Sequence, residues 1–477
     1  DLRYISAALP LAINRLKLSF WAKASSSGQT LLIGSQTSPD ATFNMIQSVE
    51  LSSSWSQVDL NLSGYSGSAS HIVFKHGLGA SYRIIYIDDL QILPLAANDM
   101  HMRALRGPAH SLDGLNMEFT VDVLNDSYNP SNTYSVQLRD ADTSALLSNS
   151  VFTTPVAPGE VASHSMICNI PQSGFFRIQA MVLSTGDNNS ANNASGIQSL
   201  RILHPDAEVP TITTDNAEST ANTMPFNFYW KNNVAESIYL ADEIFYPNGN
   251  IVGLMYHYNF VQDLGLQALK VWIKNTTAQD LSSGWLDAGD YTLVFDGMVD
   301  FELGEGTAIL SFAEPFVYTG GNLAIRSNRP MDIQYYNSSN HFVQYTDPEA
   351  PNRSRYKHSD SSILDPLSPI QDGSLSSNIP KLTLMLENIV LEPTEAVLQL
   401  DEGVTRLNWE PIRGAHSYQV WQSTNMQDWI LLSEQTETNL DLPDAAKAFF
   451  RIVGNSDAPN NRSSNQLHNF IPRQLQY

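Results

Sequence analysis

Residues 82–93 read YRIIYIDDLQIL, with aliphatic and aromatic residues on both sides of two adjacent carboxylates, Asp88 and Asp89. The run is short and rich in β-branched and aromatic side chains, which is the pattern of a β-strand. Two carboxylates in the middle of a strand that buries both of its faces require an explanation. Three interpretations are open: a catalytic pair, a metal site, or a point at which the strand leaves its sheet.

Strand-like runs of the same kind recur along the whole chain. LKLSFWAKA (16–24), TLLIGSQT (30–37) and HIVFKHGL (71–78) are short and are bounded by turn-forming residues. No long segment keeps the 3.6-residue apolar period of an amphipathic helix. Short strands separated by frequent turn signals predict an all-β chain of tandem β-sandwich domains.

The chain of 477 residues is too long for one hydrophobic core. Its composition changes after Pro94, at the proline-punctuated linker HPDAEVP (204–210) and again near Pro393. The predicted modules are residues 1–94, 95–207, 208–390 and 391–456, followed by a C-terminal tail, 457–477.

The first module carries LSFWAKASSSGQTLLIGSQTSPDATF (18–43), SSSWSQVDLNLSGYSG (52–67) and IVFKHGLGASYRIIYIDDLQI (72–92). These runs resemble the C-terminal half of jelly-roll modules of the cleaved-adhesin and MAM type. The resemblance implies a partial jelly roll that lacks the opening strands and their ligand loop. It also implies that Asp88 and Asp89 help to hold a structural Ca²⁺, which takes six to eight oxygen ligands. The alternative is the solvent-facing end of a strand, where aspartates make local turn hydrogen bonds.

A catalytic role for Asp88 and Asp89 is disfavoured, because successive residues of a regular strand point to opposite faces. The sequence also lacks HExxH, a G-x-S-x-G elbow, a P-loop and a complete dinucleotide-binding fingerprint. We therefore predict that the chain is not an enzyme and has no catalytic residues. Calcium at Asp88 and Asp89 is the one cofactor that we expect.

The second module contains EFTVDVLNDSYNPSNTYSVQLRD (118–140) and VAPGEVASHSMICNIPQSGFFRIQAMV (156–182). These stretches resemble a CARDB-type, immunoglobulin-like module. The loop GDNNSANN (186–193) is rich in side-chain oxygens and is best interpreted as an Asn/Asp turn, with calcium binding as the alternative. Cys168 is the single cysteine, so an intrachain disulfide is excluded, and we interpret it as a small buried hydrophobe.

The two remaining modules are also β-rich. PFNFYWKNNVAESIYLADEI (225–244) and LKVWIKNTTAQDLSSGW (269–285) resemble a module of large secreted proteins from Bacteroidetes-like bacteria, which implies no particular activity. LNWEPIRGAHSYQVWQSTNMQDWILL (407–432) resembles a fibronectin type III module. That resemblance implies that Trp409 belongs to the core of a sandwich.

The formal net charge of −23 disfavours nucleic acids and anionic membrane surfaces as partners. A local concentration of basic residues between Arg326 and Lys357 either contacts an acidic subunit or an anionic glycan, or forms internal ion pairs. The aromatic stretches FNFYWKNN (226–233) and YYNSSNHFVQYTD (335–347) suit stacking on a sugar, but in alternating strands such residues are usually half core.

No apolar run reaches the roughly 18 residues of a membrane span, so we expect no membrane insertion. Few lysines and many Ser, Thr, Asn and Gly residues fit an extracellular protein. The first residue is Asp1, which suggests a processed chain or a piece of a longer one.

We predict a non-enzymatic bacterial protein of the cell surface, adhesive or structural, whose partners are itself, other surface proteins or glycans. An incomplete first sandwich leaves strand edges uncovered, and the tail sequence LHNFIPRQLQY (467–477) is a candidate donor strand for a head-to-tail filament. The alternative is the accessory, non-catalytic and glycan-binding region of a larger secreted hydrolase.

Overall fold

The computed structural model describes all residues in these ranges: 3–26, 28–77, 84–212, 218–368, 372–401, 404–442 and 448–456. Strands dominate this part of the chain, so the prediction of an all-β protein of tandem β-sandwiches is confirmed. The chain divides into two compact units. The N-terminal unit comprises Asp1–Pro108, Gly114–Ile170 and Phe176–Ser199, and the C-terminal unit comprises Ala109–Asp113, Pro171–Phe175 and Leu200–Tyr477.

In the part of the chain that the structure describes, the N-terminal unit begins with seven strands in two sheets. The strands are β1 (Arg3–Ile5), β2 (Leu16–Ala24), β3 (Gln29–Gln36), β4 (Asn44–Leu51), β5 (Ser56–Asn61), β6 (His71–His76) and β7 (Ile85–Pro94). One sheet has the order β1-β6-β3-β4 and the other the order β5-β2-β7. Every second residue of β2 from Leu16 to Ala24 is buried, as its alternating sequence predicts, and packs with Ile33 and Phe74 in a shared core. The partial jelly-roll assignment of residues 1–94 stays a prediction.

Eight further strands lie between residues 100 and 203. They are β8 (Met100–Arg106), β9 (His110–Leu112), β10 (Asn116–Asn125), β11 (Tyr134–Asp140), β12 (Leu146–Phe152), β13 (Val161–Asn169), β14 (Gly174–Ser184) and β15 (Gln198–Leu203). In the N-terminal unit they form the sheets β13-β10-β8 and β12-β11-β14. The alternating β10 buries Phe119, Val121 and Val123, and Val182 on β14 is also buried. A two-sheet sandwich results.

The C-terminal unit contains a larger sandwich. Its elements are β16 (Thr211–Ile212), β17 (Ser219–Ala221), β18 (Asn232–Tyr239), α1 (Ala241–Ile244), β19 (Gly249–Phe260), β20 (Gly265–Thr276), β21 (Thr292–Phe301), β22 (Gly304–Tyr318), β23 (Asn322–Arg329), β24 (His341–Thr346), β25 (Ser354–Ser359), β26 (Ser374–Ser376), β27 (Asn378–Pro380) and β28 (Leu382–Glu387). One sheet has the order β16-β28-β19-β24-β17, with β22 paired to β19 and β27 to β24, and the other the order β21-β20-β23-β18-β25-β26. The core is rich in aromatic rings, among them Phe228, Phe260 and Phe301.

The described residues of the last sandwich in the C-terminal unit form six strands. They are β29 (Ala396–Asp401), β30 (Val404–Trp409), β31 (Ser417–Ser423), β32 (Ile430–Gln435), β33 (Asn439–Leu442) and β34 (Phe449–Asn455). They form the sheets β29-β30-β33 and β32-β31-β34. Trp409 is buried in the core beside Tyr418, as the sequence predicts. The fibronectin type III assignment itself stays a prediction.

Helices are short in the described ranges. They are α1 and two 3₁₀ turns, Ile13–Arg15 and Ser190–Asn192. In that part of the chain, none of these helices has the length and apolar character that a membrane span requires.

Candidate functional site: an aromatic sheet face

Asp88 and Asp89 lie at a β-bulge, an insertion of one extra residue in a strand pair. Trp21 on β2 lies opposite Asp88, and Ser19 lies opposite Gln91, so one residue of β2 faces two residues of β7. Asp89 takes the left-handed conformation, with φ of 50°, and its backbone N–H donates to Asp88 Oδ1 at 2.9 Å. Aspartate tolerates this conformation better than most residues with a side chain.

The bulge explains why a carboxylate pair interrupts an aliphatic strand. Before the bulge Ile85 lies opposite the buried Ala24, and after it Ile92 lies opposite the buried Leu18. Ile85, Ile92 and also Leu90 pack against the core. A regular strand would turn one of these two halves outward, because side chains alternate strictly between faces. β7 therefore pairs with β2 on both sides of Asp88 and Asp89 and does not leave its sheet there. The departure from regular strand structure is confined to the bulge.

Both carboxylates are exposed. Among the described residues, no group of three or more His, Cys, Asp and Glu side chains is placed to hold a metal ion. The calcium site that the sequence suggests at Asp88 and Asp89 thus gains no third acidic ligand from the described part, and it stays a prediction.

Asp88 nevertheless belongs to a distinctive surface, the outward face of the sheet β5-β2-β7. Three aromatic side chains on this face are substantially exposed: Trp21 and Trp55 at 42% and Tyr86 at 41%. Lys23 lies opposite Tyr86 in the strand register, and its Nζ is 4.9 Å from the Trp55 ring centroid and 5.3 Å from that of Tyr86. The two rings meet edge to face with centroids 6.4 Å apart.

The next row of the same face places Trp21 between two polar residues. Gln57 on β5 and Asp88 on β7 are its direct cross-strand neighbours, and both are exposed. Gln57 Nε2 donates to Ser19 Oγ at 3.3 Å. We define the aromatic face as Trp21, Lys23, Trp55, Gln57, Tyr86 and Asp88. It combines flat apolar rings with hydrogen-bonding groups at fixed positions on a sheet, a combination that suits recognition of a flat, hydroxyl-bearing ligand.

The aromatic stretches 226–233 and 335–347, whose composition suits stacking on a sugar, contribute no residue to the aromatic face. Phe226 and Phe228 are fully buried in the core of the larger sandwich. Trp230 stacks on His358 with ring centroids 4.1 Å apart, whereas Tyr335 is 64% exposed. The sequence does not reveal the aromatic face because its rings come from β2, from β7 and from the residue before β5, and only the strand register brings them together.

The basic residues between Arg326 and Lys357 support the interpretation of internal ion pairs. Arg326 pairs with Glu236 at 2.8 Å and Arg353 pairs with Glu243, and both arginine side chains are almost completely buried. These two arginines therefore do not offer a surface for an anionic glycan.

Cys168 is buried in the second sandwich of the N-terminal unit, as predicted. Burial raises the pKa of its thiol, which keeps the thiol protonated and unreactive. On the same strand, His164 shares a 2.6 Å hydrogen bond with Tyr134 Oη and stacks on Phe152. Burial lowers the pKa of His164. These contacts are those of a side chain packed into the sandwich.

No protein-family model matches the sequence, and no curated protein matches it either. Solved structures that are similar over part of the chain include a CARDB domain from Pyrococcus furiosus, crystallised in complex with di-metal ions. It is 19% identical, covers 23% of this chain and 93% of that domain, and has a TM-score of 0.20.

Two glycoside hydrolases are also partly similar. A β-glucuronidase of glycoside hydrolase family 2 is 11% identical over 44% of this chain and 24% of that chain, with a TM-score of 0.21. The glycoside hydrolase domain of Endo-D from Streptococcus pneumoniae is 16% identical over 39% of this chain and 29% of that chain, with a TM-score of 0.15. Identities and scores this low transfer no activity or ligand to this chain.

Proposed function

We propose that this chain is a non-enzymatic, extracellular binding protein that attaches to glycan chains through the aromatic face. The observation that carries the proposal is the exposure of Trp21, Trp55 and Tyr86 together on one sheet face. Large aromatic side chains are normally buried, and an exposed group of them rimmed by polar residues is typical of a binding site.

The polar neighbours favour a glycan over an apolar protein partner. A sugar ring presents C–H groups on its faces and hydroxyls around its edge, so it packs on an indole ring while bonding to adjacent side chains. Gln57 and Asp88 lie on either side of Trp21 in the register and offer both donors and acceptors.

Charge favours a neutral glycan. The positive charge of Lys23 and the negative charge of Asp88 offset each other on the face, and the whole chain carries a formal charge of −23. A polyanionic polysaccharide would be repelled by such a protein. The ligand that fits best is therefore an uncharged polysaccharide.

Two biological roles use the same face. In the first, the tandem sandwiches hold an adhesive surface away from a bacterial cell, and in the second they serve as the accessory region of a larger secreted hydrolase. The filament hypothesis depends on the tail 457–477, which lies outside the described residues, and it stays a prediction. Electron microscopy of the purified protein tests it, because only short monodisperse rods at every concentration would contradict polymerisation.

Native affinity electrophoresis in gels cast with neutral polysaccharides tests the proposed binding directly. We expect the wild-type protein to be retarded by at least one of them. Trp21→Ala and Trp55→Ala should each weaken the retardation by about tenfold or more, as for central aromatic residues of binding sites.

Tyr335→Ala is the matched control, because Tyr335 is an exposed aromatic residue outside the face. It should leave the retardation unchanged. Migration of the wild-type protein that no neutral polysaccharide alters, or equal losses in Trp21→Ala and Tyr335→Ala, would reject glycan binding through this face.

A further inference from the structure

A cavity of about 170 Å³ lies on the larger sandwich of the C-terminal unit. Its wall comes from residues 285–288 between β20 and β21, from Pro366 and Ser368 between β25 and β26, and from Arg326 on β23. Loops held by a rigid sheet commonly carry binding sites. Pockets for drug-sized ligands usually start at about 300 Å³, so this cavity has room for one substituent of a larger molecule.

Two buried N–H groups belong to residues of this wall. Trp285 Nε1 and Arg326 Nε are buried atoms, and neither has a hydrogen-bond partner within the ranges that the structure describes. The Arg326 side chain is only 3% exposed. An unmet buried donor costs free energy, and such atoms are rare in native proteins. Two of them at one cavity indicate a ligand that supplies a hydrogen-bond acceptor.

The two terminal nitrogens of the Arg326 guanidinium are already engaged. Nη1 donates to the carbonyl of Pro366 at 2.7 Å, and Nη2 donates to the carbonyl of Leu286 and to Glu236 Oε1, each at 2.8 Å. The guanidinium is therefore fixed in the wall. The carbonyls of Pro366 and Leu286 belong to the same wall and already accept hydrogen bonds, so the wall offers unused donors rather than unused carbonyl acceptors.

The lining favours a neutral acceptor with a small apolar part. Arg326 forms an ion pair with the fully buried Glu236, so the two charges offset each other. Asp287 is exposed at the cavity, and the chain carries a formal charge of −23, so an anionic ligand would be repelled. The apolar part of the wall consists of Trp285, Leu286, Ala288 and Pro366.

An N-acetyl group meets these conditions. Its carbonyl oxygen has two lone pairs and no hydrogen to donate, and its methyl group packs on apolar surface. A hydroxyl group fits less well, because its own hydrogen needs an acceptor and the carbonyls of the wall are engaged. The exposed side chains of Asp287 and Ser368 can bond to the amide N–H or to hydroxyls on the rest of a sugar ring.

We propose that this cavity binds the N-acetyl group of an N-acetylhexosamine residue in a glycan. The carbonyl oxygen accepts from Trp285 Nε1 or from Arg326 Nε, and the methyl group packs against the indole ring. Both nitrogens are covered by neighbouring atoms, so binding requires a small displacement of the half-buried Trp285. Side-chain changes of this kind are common on binding. The Arg326 guanidinium carbon lies 5.8 Å from the Trp285 ring centroid, so one displacement of the indole opens both N–H groups.

Gly373 leaves space for that displacement. A Cβ at position 373 would lie 2.8 Å from Trp285 Cζ2 and 3.0 Å from Trp285 Nε1, closer than ordinary van der Waals contact. An alanine there would press on the edge of the indole that carries the N–H group. We therefore expect Gly373→Ala to weaken binding while the ion pair between Arg326 and Glu236 is kept.

Ligand-observed NMR with the full chain tests the site. In saturation-transfer difference spectra, the methyl glycoside of N-acetylglucosamine should bind with a dissociation constant on the order of 1 mM, as expected for a ligand of this size. Transfer should be strongest at its acetyl methyl group. Methyl glucoside, which lacks the acetamido group, should bind at least about tenfold more weakly. Nε-acetyl-lysine amide should also bind more weakly than the N-acetyl sugar, because it has no hydroxyls for Asp287 and Ser368.

Three variants locate the site. Trp285→Phe removes the indole N–H but keeps an aromatic ring, and should weaken binding of the N-acetyl sugar by about threefold to tenfold, the effect of one lost hydrogen bond. Gly373→Ala should weaken it to a similar extent. Trp421→Phe is the matched control, because Trp421 Nε1 is also buried without a partner in the described part of the chain but belongs to β31 of the last sandwich. It should bind like wild type.

Trp21→Ala separates this proposal from binding at the aromatic face, and it should leave affinity for the N-acetyl sugar unchanged. Loss of binding in Trp21→Ala but not in Trp285→Phe would assign the sugar to the aromatic face and overturn the proposal.

Equal affinities of the wild-type protein for the N-acetyl sugar and methyl glucoside, or no saturation transfer to either, would overturn it as well. Equal weakening in Trp285→Phe and Trp421→Phe would also reject this cavity as the site. Tighter binding of the acetyl-lysine compound than of the sugar would assign the cavity to an acetylated peptide instead.

Discussion

Trp21 on β2 lies directly opposite Asp88 on β7, whereas Ser19, two residues earlier on β2, lies opposite Gln91. The extra residue in β7 changes which face its side chains point to. Trp21 and Asp88 are thereby neighbours on the exposed side, while Leu90 and Ile92 still reach the core. The carboxylate pair thus has an architectural explanation that needs no metal.

The bulge predicts that two substitutions of Asp89 differ in their effect on stability. Asp89→Gly preserves a φ of 50° without a Cβ clash, so the free energy of unfolding should stay within about 0.5 kcal/mol of wild type. Asp89→Val forces a β-branched side chain into the left-handed region and should cost about 1–2 kcal/mol. Urea unfolding followed by tryptophan fluorescence measures both. Equal losses of unfolding free energy in the two variants would mean that the Asp89 carboxylate, rather than the left-handed backbone conformation, accounts for the effect.

Two histidines, the buried His110 and the half-buried His257, predict how the stability of the C-terminal unit depends on pH. Burial lowers the pKa of His110 to about 4. Burial also lowers the pKa of His257 to about 4, and the charge of Lys381 adds to the effect. In the unfolded chain both titrate near 6.5. Protons are therefore taken up on unfolding, and the stabilisation is fully present above about pH 6.5 and is lost as pH falls towards 4.

Urea titrations between pH 7.5 and 4.5 measure this loss. The free energy of unfolding should fall by up to about 1.4 kcal/mol per pH unit for each histidine in the window from 6.5 to 4. His257→Gln can keep a hydrogen bond to Thr383 Oγ1, which His257 Nε2 contacts at 2.9 Å, and should flatten the slope. His204→Gln, at an exposed position, is the control. If the unfolding free energy depended on pH equally in His257→Gln and His204→Gln, His257 would not be a group that causes the loss of stability.

The ion pair between Arg326 and Glu236 predicts a large effect of removing one partner. The side chains are 3% and 0% exposed, and Glu236 Oε2 also accepts from the N–H of Leu286 at 3.1 Å. Arg326→Met leaves an unpaired buried carboxylate and should lower the free energy of unfolding by about 3–5 kcal/mol.

Two further variants isolate the cause of that loss. Adding Glu236→Leu to Arg326→Met should recover part of the stability, because the double variant buries no charge. Lys357→Met breaks the pair with the exposed Asp372 and should cost less than about 1 kcal/mol. Denaturant unfolding of the three proteins measures these differences. A double variant less stable than Arg326→Met would show that packing, rather than unpaired charge, sets the loss.

The strands could be predicted from the sequence because the residue pattern that indicates a strand lies within one short stretch of the chain. LKLSFWAKA alternates cleanly and forms β2 over Leu16–Ala24 as expected. Within the run from 82 to 93, the described residues from Ile85 onward lie in β7, Ile85–Pro94. In that run the aliphatic spacing changes from two to three residues between Ile87 and Leu90, and this change is the sequence signal of the bulge.

The candidate sites could not be predicted in the same way, because they depend on pairing between distant segments. Trp55 and Tyr86 meet across β2 only through the register of three strands. The loop 186–193 is oxygen-rich in sequence, but the buried Asp99, which accepts from Asn192 Nδ2 at 2.9 Å, comes from the other end of the module. Because these side chains are distant in sequence, no local sequence pattern indicates that they lie together.

The final prediction concerns Arg413, which links the last two sandwiches within the C-terminal unit. It lies between β30 and β31, and its guanidinium donates to the carbonyls of Phe245 at 3.1 Å and Gly320 at 2.7 Å, and also to that of Ala241. Ala241 begins α1 and Phe245 follows its last residue, and the Ala241 carbonyl also accepts from the backbone N–H of Phe245 at 3.2 Å. Hydrogen bonds from a charged donor are each worth about 1.5–3 kcal/mol.

Arg413→Met should therefore loosen the attachment of the last sandwich without disturbing its core. We expect a separate, lower calorimetric transition for that sandwich and faster cleavage near residues 388–395 in limited proteolysis. Arg413→Lys should behave almost as Arg413→Met, because one ammonium cannot reproduce the fork of donors that reaches several carbonyls. Arg406→Met is the matched control, since Arg406 pairs with the exposed Asp441 on the same sandwich. A single wild-type transition in Arg413→Met would show that apolar contacts alone hold the two sandwiches together.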